Sequence, residues 1–336
     1  MPNAINHEIR LKRRPAGLPS PGDFELAETP VPSPAHGQVL VRNIYMSVDP
    51  YMRGRMVDRA SYTPPFQIGE TLTGGAVGQV VASNGNDAFK AGDYVSNFAG
   101  WREWFVSSGG DLMKVDPALA PIQAYLGTFG MPGLTAYVGL LKIAELKEGE
   151  RVFVSAAGGA VGSVACQIAK LKGHTVIGSA GGAEKAAFLK EIGVDHAIDY
   201  KAEPDITAAL LRAAPEGIDV YFENVGGAHL EAALMAAKPF GRFALCGMIS
   251  EYNNTDLGQG VRGLVMAVGK SLTLRGFIVS NHTDMQAAFV KELAGWVAEG
   301  KFKHTETVRK GIENAPAAFL GLFKGENLGK MLVKLN

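Results

Sequence analysis

The fold is decided by the stretch RVFVSAAGGAVG, residues 151–162, in which an apolar strand runs directly into a glycine turn that opens a helix. The small residues follow the spacing Ala157-x-Gly159-x-x-Gly162. In such a turn the first small residue allows a tight bend, the second lets the backbone approach a pyrophosphate, and the third lets the helix pack closely on its strand. The helix N-terminus adds free N–H donors. A plain tight turn would also explain the glycines in a chain with 42 of them, so the surrounding pattern has to decide.

The sequence around this turn alternates regularly between strand and helix patterns. Besides the strand before the turn, strands are predicted at Thr175–Ala180, His196–Asp199, Asp219–Glu223, Arg242–Cys246 and Thr273–Gly276. Helices are predicted at Ser163–Lys172, Glu184–Ile192, Ile206–Ala213 and Leu230–Lys238. Because strands that alternate with helices are joined by right-handed crossovers, the pattern predicts an α/β fold with a doubly wound parallel sheet of the Rossmann type. Such a domain supports the dinucleotide interpretation of the glycine turn.

The end of the second strand selects the dinucleotide. An NAD site carries an Asp or Glu there, about 20 residues after the glycines, which binds the ribose hydroxyls. Here the chain reads Ile177–Gly178–Ser179–Ala180–Gly181–Gly182, with no acid. Ser179 can donate to a 2′-phosphate and Lys185 can add a point charge, although a solvated surface lysine is an equally good explanation of Lys185. The missing acid favours NADP over NAD.

Six blocks of sequence carry a resemblance that extends over the whole chain. They are MSVDPYMR (46–53), GMPGLTAY (130–137), AAGGAVG (156–162), YFENVGG (221–227), CGMISEYN (246–253) and GENLGK (325–330). In these blocks the chain resembles the zinc-independent medium-chain dehydrogenases/reductases, in the branch of prostaglandin reductases, plant alkenal double-bond reductases and bacterial curcumin reductases. The opening from His7 to Pro15, with the proline-rich stretch after it, is most similar to the curcumin reductases.

Proline use and strand patterns suggest a second domain. Ten of the 17 prolines precede Phe66, which is typical of short strands and turns. Strands are predicted at Gln38–Met46, Ala76–Ser83, Gly92–Val95 and Trp101–Val106, in an antiparallel barrel-like arrangement. The resemblance implies a GroES-like β-barrel catalytic domain at 1–126, rejoined by 302–336, and a Rossmann NADP-binding domain at 127–301. The active site is then expected in the cleft at their junction.

Composition limits the possible partners and compartments. Lys plus Arg and Asp plus Glu each number 33, so no basic surface predicts nucleic-acid binding. No apolar run approaches the roughly 18 residues of a membrane span, and the opening residues lack the apolar core of a signal peptide. Cys166 and Cys246 are both predicted to be small buried residues, with no disulfide framework. A cytoplasmic protein without nucleic-acid or membrane partners is expected.

The potential metal ligands predict no zinc site. Two cysteines cannot build a structural site, which needs four ligands of this kind. Gly69–Glu70 stands where zinc alcohol dehydrogenases have a Gly–His–Glu motif, and the seven histidines form no ligand pair at helical or strand spacing. Without a metal to polarise an alcohol or carbonyl, alcohol oxidation is disfavoured.

A metal-free NADPH site can reduce an activated carbon–carbon double bond. In an α,β-unsaturated ketone or aldehyde, hydride adds to the β-carbon and negative charge develops on the carbonyl oxygen, where a neutral donor stabilises the enolate. A tyrosine with the usual pKa near 10 is protonated at neutral pH and suits this role. The resemblance places such a tyrosine at Tyr252, and Tyr51 in the Asp49–Pro50–Tyr51 block is a second candidate. A loop aromatic and a structural barrel residue are their alternative explanations.

The resemblance also implies which residues bind the cofactor. It assigns the pyrophosphate to Gly159, Ala160, Val161 and Gly162, and the 2′-phosphate to Lys185 and Tyr200. Lining of the cofactor path is assigned to Asn224 and to the segment 246–252, which includes Cys246, Gly247, Ile249, Ser250 and Tyr252. The nicotinamide is assigned to Thr135, Phe277, Ile278, Val279 and Asn327. The pair Gly181–Gly182 departs from the motif and leaves the geometry of the phosphate contact open.

Two other functions and two structural expectations accompany the main one. A quinone reductase would use the same NADPH site, and a non-catalytic NADPH-binding protein would bind the cofactor without turnover. The apolar loops Arg55–Phe66 and Leu257–Val268 are expected to line a substrate pocket. In Ser271–Phe277 apolar and polar residues alternate as in an edge strand, which predicts a homodimer paired through this strand, or a monomer whose edge Arg275 protects.

Overall fold

The computed structural model describes residues 4–256 and 260–335, which divide into two compact units. The first unit comprises residues 4–126, 306–327 and 331–335, and the second comprises the described residues of 127–305 together with 328–330. Residues 1–3 and 336, and residues 257–259 of the predicted substrate loop, lie outside the described part of the chain.

The regular elements are numbered here in chain order. The strands are β1 (Ile5–Leu11), β2 (Phe24–Pro30), β3 (Gln38–Ser47), β4 (Ala76–Asn84), β5 (Tyr94–Asn97), β6 (Trp104–Ser107), β7 (Met113–Lys114), β8 (Arg151–Val154), β9 (Thr175–Ala180), β10 (His196–Asp199), β11 (Ile218–Glu223), β12 (Ala237–Leu245), β13 (Thr273–Gly276), β14 (Glu306–Lys310) and β15 (Lys330–Lys334). The helices are α1 (Met52–Arg55), α2 (Met131–Val138), α3 (Ala160–Leu171), α4 (Ala183–Glu191), α5 (Ile206–Ala213), α6 (Gly227–Ala236), α7 (Met266–Gly269), α8 (Gln286–Ala298) and α9 (Ala315–Lys324). Within the described residues, no helix is long and apolar enough to cross a membrane.

The second unit is built on a six-stranded parallel sheet with the order β10-β9-β8-β11-β12-β13. This is the order of a complete Rossmann domain, so the predicted α/β class is confirmed. On one face a row of buried aromatic rings joins three neighbouring strands. The ring centroids of Phe153 and Tyr221 are 5.0 Å apart, and those of Tyr221 and Phe243 are 5.3 Å apart. Helices α5 and α6 pack on the same core through Leu210 and Leu234, which are fully buried.

The first unit is built on a mainly antiparallel sheet. Strand β3 pairs antiparallel with β4, with β6 and with β15, so a strand from near the end of the chain completes the sheet. Its main core is aromatic: Trp101 stacks on Phe24 at 6.2 Å and meets Phe319 of α9 edge-on at 6.3 Å. Burial of Phe319 and its neighbours explains why the C-terminal segment belongs to this unit.

Some predicted element bounds were wrong, each for a local reason. The helix predicted to reach Lys238 ends at Ala236, because β12 already begins at Ala237. Between Ala237 and Arg242 the register against β11 shifts, and Phe240 takes a left-handed φ of 63° within this bulge. The predicted strand end at Cys246 lies one residue beyond β12. A left-handed φ of 65° at Trp101 delays β6 to Trp104.

The residues expected to line a substrate pocket have several environments. Met56 and Phe66 lie in the core of the first unit, with 1% and 5% exposure. Tyr62 is 62% exposed and Leu264 is 51% exposed. Val261 is partly buried against the core of the second unit. The apolar pattern of these loops therefore combines core packing with exposed surface.

Candidate active site

The glycine turn after β8 is a close-packed loop. A Cβ atom built on Gly162 would lie 2.3 Å from the carbonyl oxygen of Ala156, so no side chain fits there. Ala156 itself takes a left-handed φ of 47°, which turns the chain out of the strand. Gly159 is the N-cap of α3 and, as a glycine, has no side chain that could cap the helix. The N–H groups of the first helical turn are thus available to an anion, as a pyrophosphate site requires.

A second glycine segment braces this turn from residues distant in the sequence. The N–H of Gly329 donates to the carbonyl oxygen of Gly158 at 2.8 Å. Gly329 has a φ of 65°, and a Cβ built on it would lie 2.0 Å from the carbonyl oxygen of Thr305. Only glycine fits this narrow passage. The role of Gly329 was not predicted from the sequence, although it lies in the GENLGK block.

The tip of β9 brings together the residues expected around a 2′-phosphate. The aliphatic stem of Lys185 lies along Gly158, since a Cβ built on that glycine would be 3.4 Å from Cδ of Lys185. The hydroxyl of Tyr200 lies over Gly181, only 2.6 Å from where a Cβ would stand. Ser179 is fully buried, and its hydroxyl has no hydrogen-bond partner among the described residues. Lys185 and Tyr200 are only half-buried and are therefore the stronger candidates for contact with a phosphate.

The geometry at the strand tip accounts for both glycines of the Gly181–Gly182 pair. Gly181 leaves room for the Tyr200 hydroxyl, and Gly182 has a left-handed φ of 102°. The carboxylate of Asp199 accepts hydrogen bonds from the N–H of Gly182 at 2.7 Å and of Lys201 at 3.0 Å. These bonds lower the pKa of Asp199 and fix both turns at the strand tip. The departure from the motif thus gives an ordered pocket for the Tyr200 side chain.

The electrostatics of this corner suit an anion. Burial lowers the pKa of Lys185, and the nearby charge of Lys201 lowers it further. Glu184 has an opposing, smaller influence on that pKa. Among the residues that the structure describes, no carboxylate forms an ion pair with Lys185 or Lys201. Two neighbouring cations and an unpartnered buried hydroxyl therefore fit the 2′-phosphate of NADPH.

The tip of β11 is organised around a buried carboxylate. Glu223 is fully buried, and its Oε1 atom accepts four hydrogen bonds. The donors are the hydroxyls of Ser155 (3.0 Å) and Tyr221 (2.7 Å) and the N–H groups of Val225 (2.7 Å) and Gly226 (2.9 Å). Burial raises the pKa of Glu223, and the four donors partly offset this effect. The carboxylate thereby joins the end of β8 to the N-terminus of α6.

Asn224 follows this carboxylate and faces the glycine turn. Its side-chain amide donates to the carbonyl oxygen of Ser155 at 2.8 Å, and its N–H donates to the Ser155 hydroxyl at 2.9 Å. Ser155 was not predicted as a site residue. A buried-looking acid directly after the apolar run Val220–Tyr221–Phe222, at the end of β11, was the sequence signal that could have identified Glu223.

The segment after β12 returns along the tip of β11. The N–H groups of Cys246 and Gly247 both donate to the carbonyl oxygen of Glu223, and the N–H of Ser250 donates to Val225. The side chain of Tyr252 folds back over the same segment, because a Cβ built on Gly247 would lie 2.8 Å from its hydroxyl. Burial and the charge of Glu223 raise the pKa of Cys246 to about 12, so this thiol is neutral.

The remaining candidates of the second unit flank the sheet. The ring of Phe277, after β13, meets Phe222 edge-on at 6.5 Å, and Ile278 and Val279 are partly buried beside it in the sequence. Thr135 is buried in α2 and donates its hydroxyl hydrogen to the carbonyl oxygen of Met131 at 2.7 Å. Its oxygen can therefore only accept a further hydrogen bond.

Tyr51 and Asn327 belong to the first unit. Tyr51 packs partly against the aromatic core, and burial together with the charge of Asp49 holds its pKa far above the usual range. Its neighbour Arg55 lies 4.0 Å above the Phe66 ring and donates to the carbonyl oxygen of Pro64 at 2.9 Å. Tyr51 is thus a phenol that is protonated at neutral pH and has structural neighbours.

Potential metal ligands are scattered. Across residues 4–256 and 260–335, no group of three or more His, Cys, Asp or Glu side chains is placed to hold a metal ion. Metal independence stays a prediction.

Comparison with known proteins places the chain among oxidoreductases. Residues 7–115 match the family described as the N-terminal domain of oxidoreductase, and residues 160–295 match the zinc-binding dehydrogenase family. The NADPH-dependent curcumin reductase of Escherichia coli (strain K12) is 44% identical over 336 residues, 98% of this chain and 97% of the relative. Prostaglandin reductase 1 of Mus musculus is 44% identical over 328 residues, 96% of this chain and 97% of the relative. The crystal structure of CurA in complex with NADPH from Vibrio vulnificus has a TM-score of 0.93 and 42% identity, covering 98% of this chain and 99% of that chain.

Proposed function

The chain belongs to the medium-chain dehydrogenase/reductase family, and from this premise we propose that it is an NADPH-dependent reductase of carbon–carbon double bonds conjugated to a carbonyl group. The substrate class is α,β-unsaturated ketones and aldehydes, of the kind that the names of its relatives indicate. The observation that carries the proposal is the carboxyl edge of the parallel sheet, where a free helix N-terminus, an anion-binding corner and Tyr252 occur together.

The cofactor is held by residues of the second unit. Ala160, Val161 and Gly162 bind the pyrophosphate through backbone N–H groups of α3, and the N-cap Gly159 lets the phosphates approach the helix closely. Lys185 and Tyr200 bind the 2′-phosphate, and the hydroxyl of Ser179 is a further donor below them. Asn224 and the segment 246–252 line the path to the reacting end, where Thr135, Phe277, Ile278, Val279 and Asn327 surround the nicotinamide.

The bound cofactor supplies a hydride for the β-carbon of the substrate. Tyr252 donates a hydrogen bond to the carbonyl oxygen, which stabilises the negative charge that develops there as the double bond is reduced. Tyr51 is the second candidate for this donor or for the proton. The buried Glu223 network keeps the Asn224 and Cys246 backbone in register with the glycine turn, so that the donors are preorganised.

Turnover of a substrate panel tests the reaction class. NADPH oxidation should be fastest with an enone, an enal or a diarylheptanoid, and slow with a simple quinone. Faster turnover of the quinone would favour a quinone reductase on the same fold. NADPH binding without turnover of any member would favour a non-catalytic cofactor-binding protein.

Assembly and location form part of the proposal. Strand β13 is the last strand of the parallel sheet, and Thr273 and Arg275 are exposed on it. Phe240, Val265 and Val268 are 72%, 74% and 81% exposed, and the Phe240 N–H bonds to Lys270 just before β13. An unpaired edge beside exposed apolar residues favours a homodimer formed through β13. Sedimentation at monomer mass at micromolar concentration would contradict this assembly.

A cytoplasmic location is also part of the proposal. Cys166 and Cys246 are free thiols, which such a location allows, and burial raises the pKa of Cys166 beyond its usual range. We also assign the catalytic role of a GroES-like domain to the first unit and NADP binding to the second.

A further inference from the structure

A second lysine reaches the strand tip at which Lys185 and Tyr200 lie. A Cβ built on Gly181 would be 2.6 Å from the Tyr200 hydroxyl and 3.1 Å from Cε of Lys201, so both side chains pass over this glycine. We propose that Lys201 is a second cation of the 2′-phosphate site and that it strengthens the preference for NADPH over NADH. This inference rests on NADPH use in the proposed function and is independent of the substrate reduced.

The charge of the ligand exceeds what a single cation balances. A phosphate monoester carries about −1.5 to −2 charges at pH 7, while Lys185 supplies a single positive charge. The hydroxyl of Tyr200 adds a donor but no charge. Lys201 completes the balance, because its charge already acts on Lys185 and lowers the pKa of that ammonium group.

The backbone turn that carries Lys201 is held in place. The carboxylate of Asp199 accepts the N–H of Lys201 at 3.0 Å and the N–H of Gly182 at 2.7 Å. The Lys201 charge lowers the pKa of Asp199, but their side chains form no ion pair within the described ranges. The ammonium group of Lys201 is thus left for a ligand while its backbone is fixed.

The neighbouring lysines also bear on the choice of cofactor. Their mutual repulsion is present in the cofactor-free protein and persists when NADH binds, because a 2′-hydroxyl carries no charge, whereas the 2′-phosphate of NADPH offsets it. Discrimination then comes from attraction and relief of repulsion in the NADPH complex alone. Because Lys201 is exposed, its share should be smaller than that of the half-buried Lys185.

Binding measurements on matched variants test the inference. Lys201→Met, Lys185→Met and the control Lys190→Met each remove one charge and keep the stem; Lys190 is exposed on the same helix as Lys185. Calorimetry gives Kd for NADPH, NADH, 2′,5′-ADP and 5′-AMP, which lacks only the 2′-phosphate of 2′,5′-ADP. Lys201→Met should weaken NADPH and 2′,5′-ADP about 3- to 10-fold and leave NADH and 5′-AMP within about twofold, with the loss shrinking at high salt. Lys190→Met should change none of them.

Three outcomes separate the possibilities. Lys201→Arg should recover most of the NADPH affinity, because charge and reach are kept. Unchanged NADPH binding in Lys201→Met, or an equal loss for NADPH and NADH, overturns the role of Lys201. If Lys185→Met also leaves NADPH and 2′,5′-ADP binding unchanged, the proposed 2′-phosphate site itself fails. Thermal unfolding of each variant verifies that the protein is folded.

Discussion

The tips of β9 and β11 lie in the same parallel sheet but carry charges of opposite sign. They also differ in how many partners each charge finds within the chain. At the β9 tip, Lys185 and Lys201 are cations that no carboxylate of the described chain pairs with. At the β11 tip, Glu223 is a carboxylate that accepts four hydrogen bonds from its own chain. The difference teaches that the β9 tip presents cations that a ligand can balance, whereas the β11 tip holds its carboxylate within its own chain. Only Oε1 of Glu223 is saturated, since Oε2 is buried without a hydrogen-bond partner among the described residues, and the network positions its neighbours.

Removing the carboxylate of the β11 tip should have the largest effect. Glu223→Ala leaves the buried hydroxyls of Ser155 and Tyr221 without their acceptor and should lower the free energy of unfolding by about 3–5 kcal/mol. Urea denaturation measures this loss. The control Glu216→Ala removes an exposed partner of Arg151 and should cost less than about 1 kcal/mol. Equal losses in the two variants would mean that the β11 tip is not held by Glu223.

The reacting end beyond the β11 tip is tested by Tyr252→Phe. This change removes one hydroxyl and keeps the ring, so NADPH binding should persist while kcat for an enone falls by roughly 10- to 1000-fold. If Tyr252 also delivers the proton, hydride transfer and protonation should slow together. Tyr125→Phe is the control, since its hydroxyl donates to the backbone oxygen of Asp116. Unchanged turnover on several enones would transfer the role to Tyr51, to be tested as Tyr51→Phe.

At the β9 tip, Lys185→Ala should act on the cofactor and spare the fold. NADPH binding should weaken by about 1–3 kcal/mol, and NADH binding far less, because only NADPH carries the 2′-phosphate. Fluorescence titration with both cofactors measures the difference. An equal loss for both would show that the β9 tip does not select the phosphate.

The stability of the protein near the β9 tip should depend on pH through His229. Its ring lies edge-on to the Tyr200 ring, with the ring centroids 5.3 Å apart. Burial lowers the pKa of His229 to about 4, below its ordinary value of 6.5. The unfolded chain therefore binds the proton first, and stability present above pH 6.5 is lost as pH falls toward 4, by about 2 kcal/mol at pH 5. His229→Phe should reduce the slope between pH 7 and 5 by about this amount, and the slope that remains comes from groups such as His174 and His304, whose pKa values burial also lowers. A slope in His229→Phe as steep as in the unchanged protein would contradict the role of His229.

Neither strand tip should depend on a metal, which is the smallest expected effect. Dialysis against a strong chelator should leave kcat and NADPH binding unchanged. A stoichiometric metal that is lost together with activity would overturn this prediction.

The parts of the fold that follow from local pattern were predictable. The strands Thr175–Ala180, His196–Asp199 and Thr273–Gly276 have the predicted bounds. The first of them is a mainly apolar run that lies between Gly173 and Gly181. The start of β12 was not predictable, since its bulge at Phe240 depends on pairing with Ile218 of another strand. Pro239 and Gly241 are residue types typical of turns, so the first half of this strand was not recognisable from the sequence.

The candidate site was likewise predictable only in part. The glycine turn was predicted from spacing, and the structure shows the steric reason at Gly162. Glu223 was not predicted, although three of its four donors lie within three residues of it. Ser155 and Lys201 were not predicted either, because their roles arise from contacts between segments that are separated in the chain. The approach of the Tyr200 hydroxyl to Gly181 is of this kind: the glycine is intelligible only once its neighbour across the sheet is known.

The hydrogen bond from Gly329 to Gly158 has a consequence for how the protein is made. On the ribosome, the glycine turn emerges long before residue 329, and until then the Gly158 carbonyl lacks its partner. The cofactor loop is therefore completed only after residue 329 has emerged, later than the sheet that carries it. A nascent chain that stops before Gly329 would carry a loop without this brace.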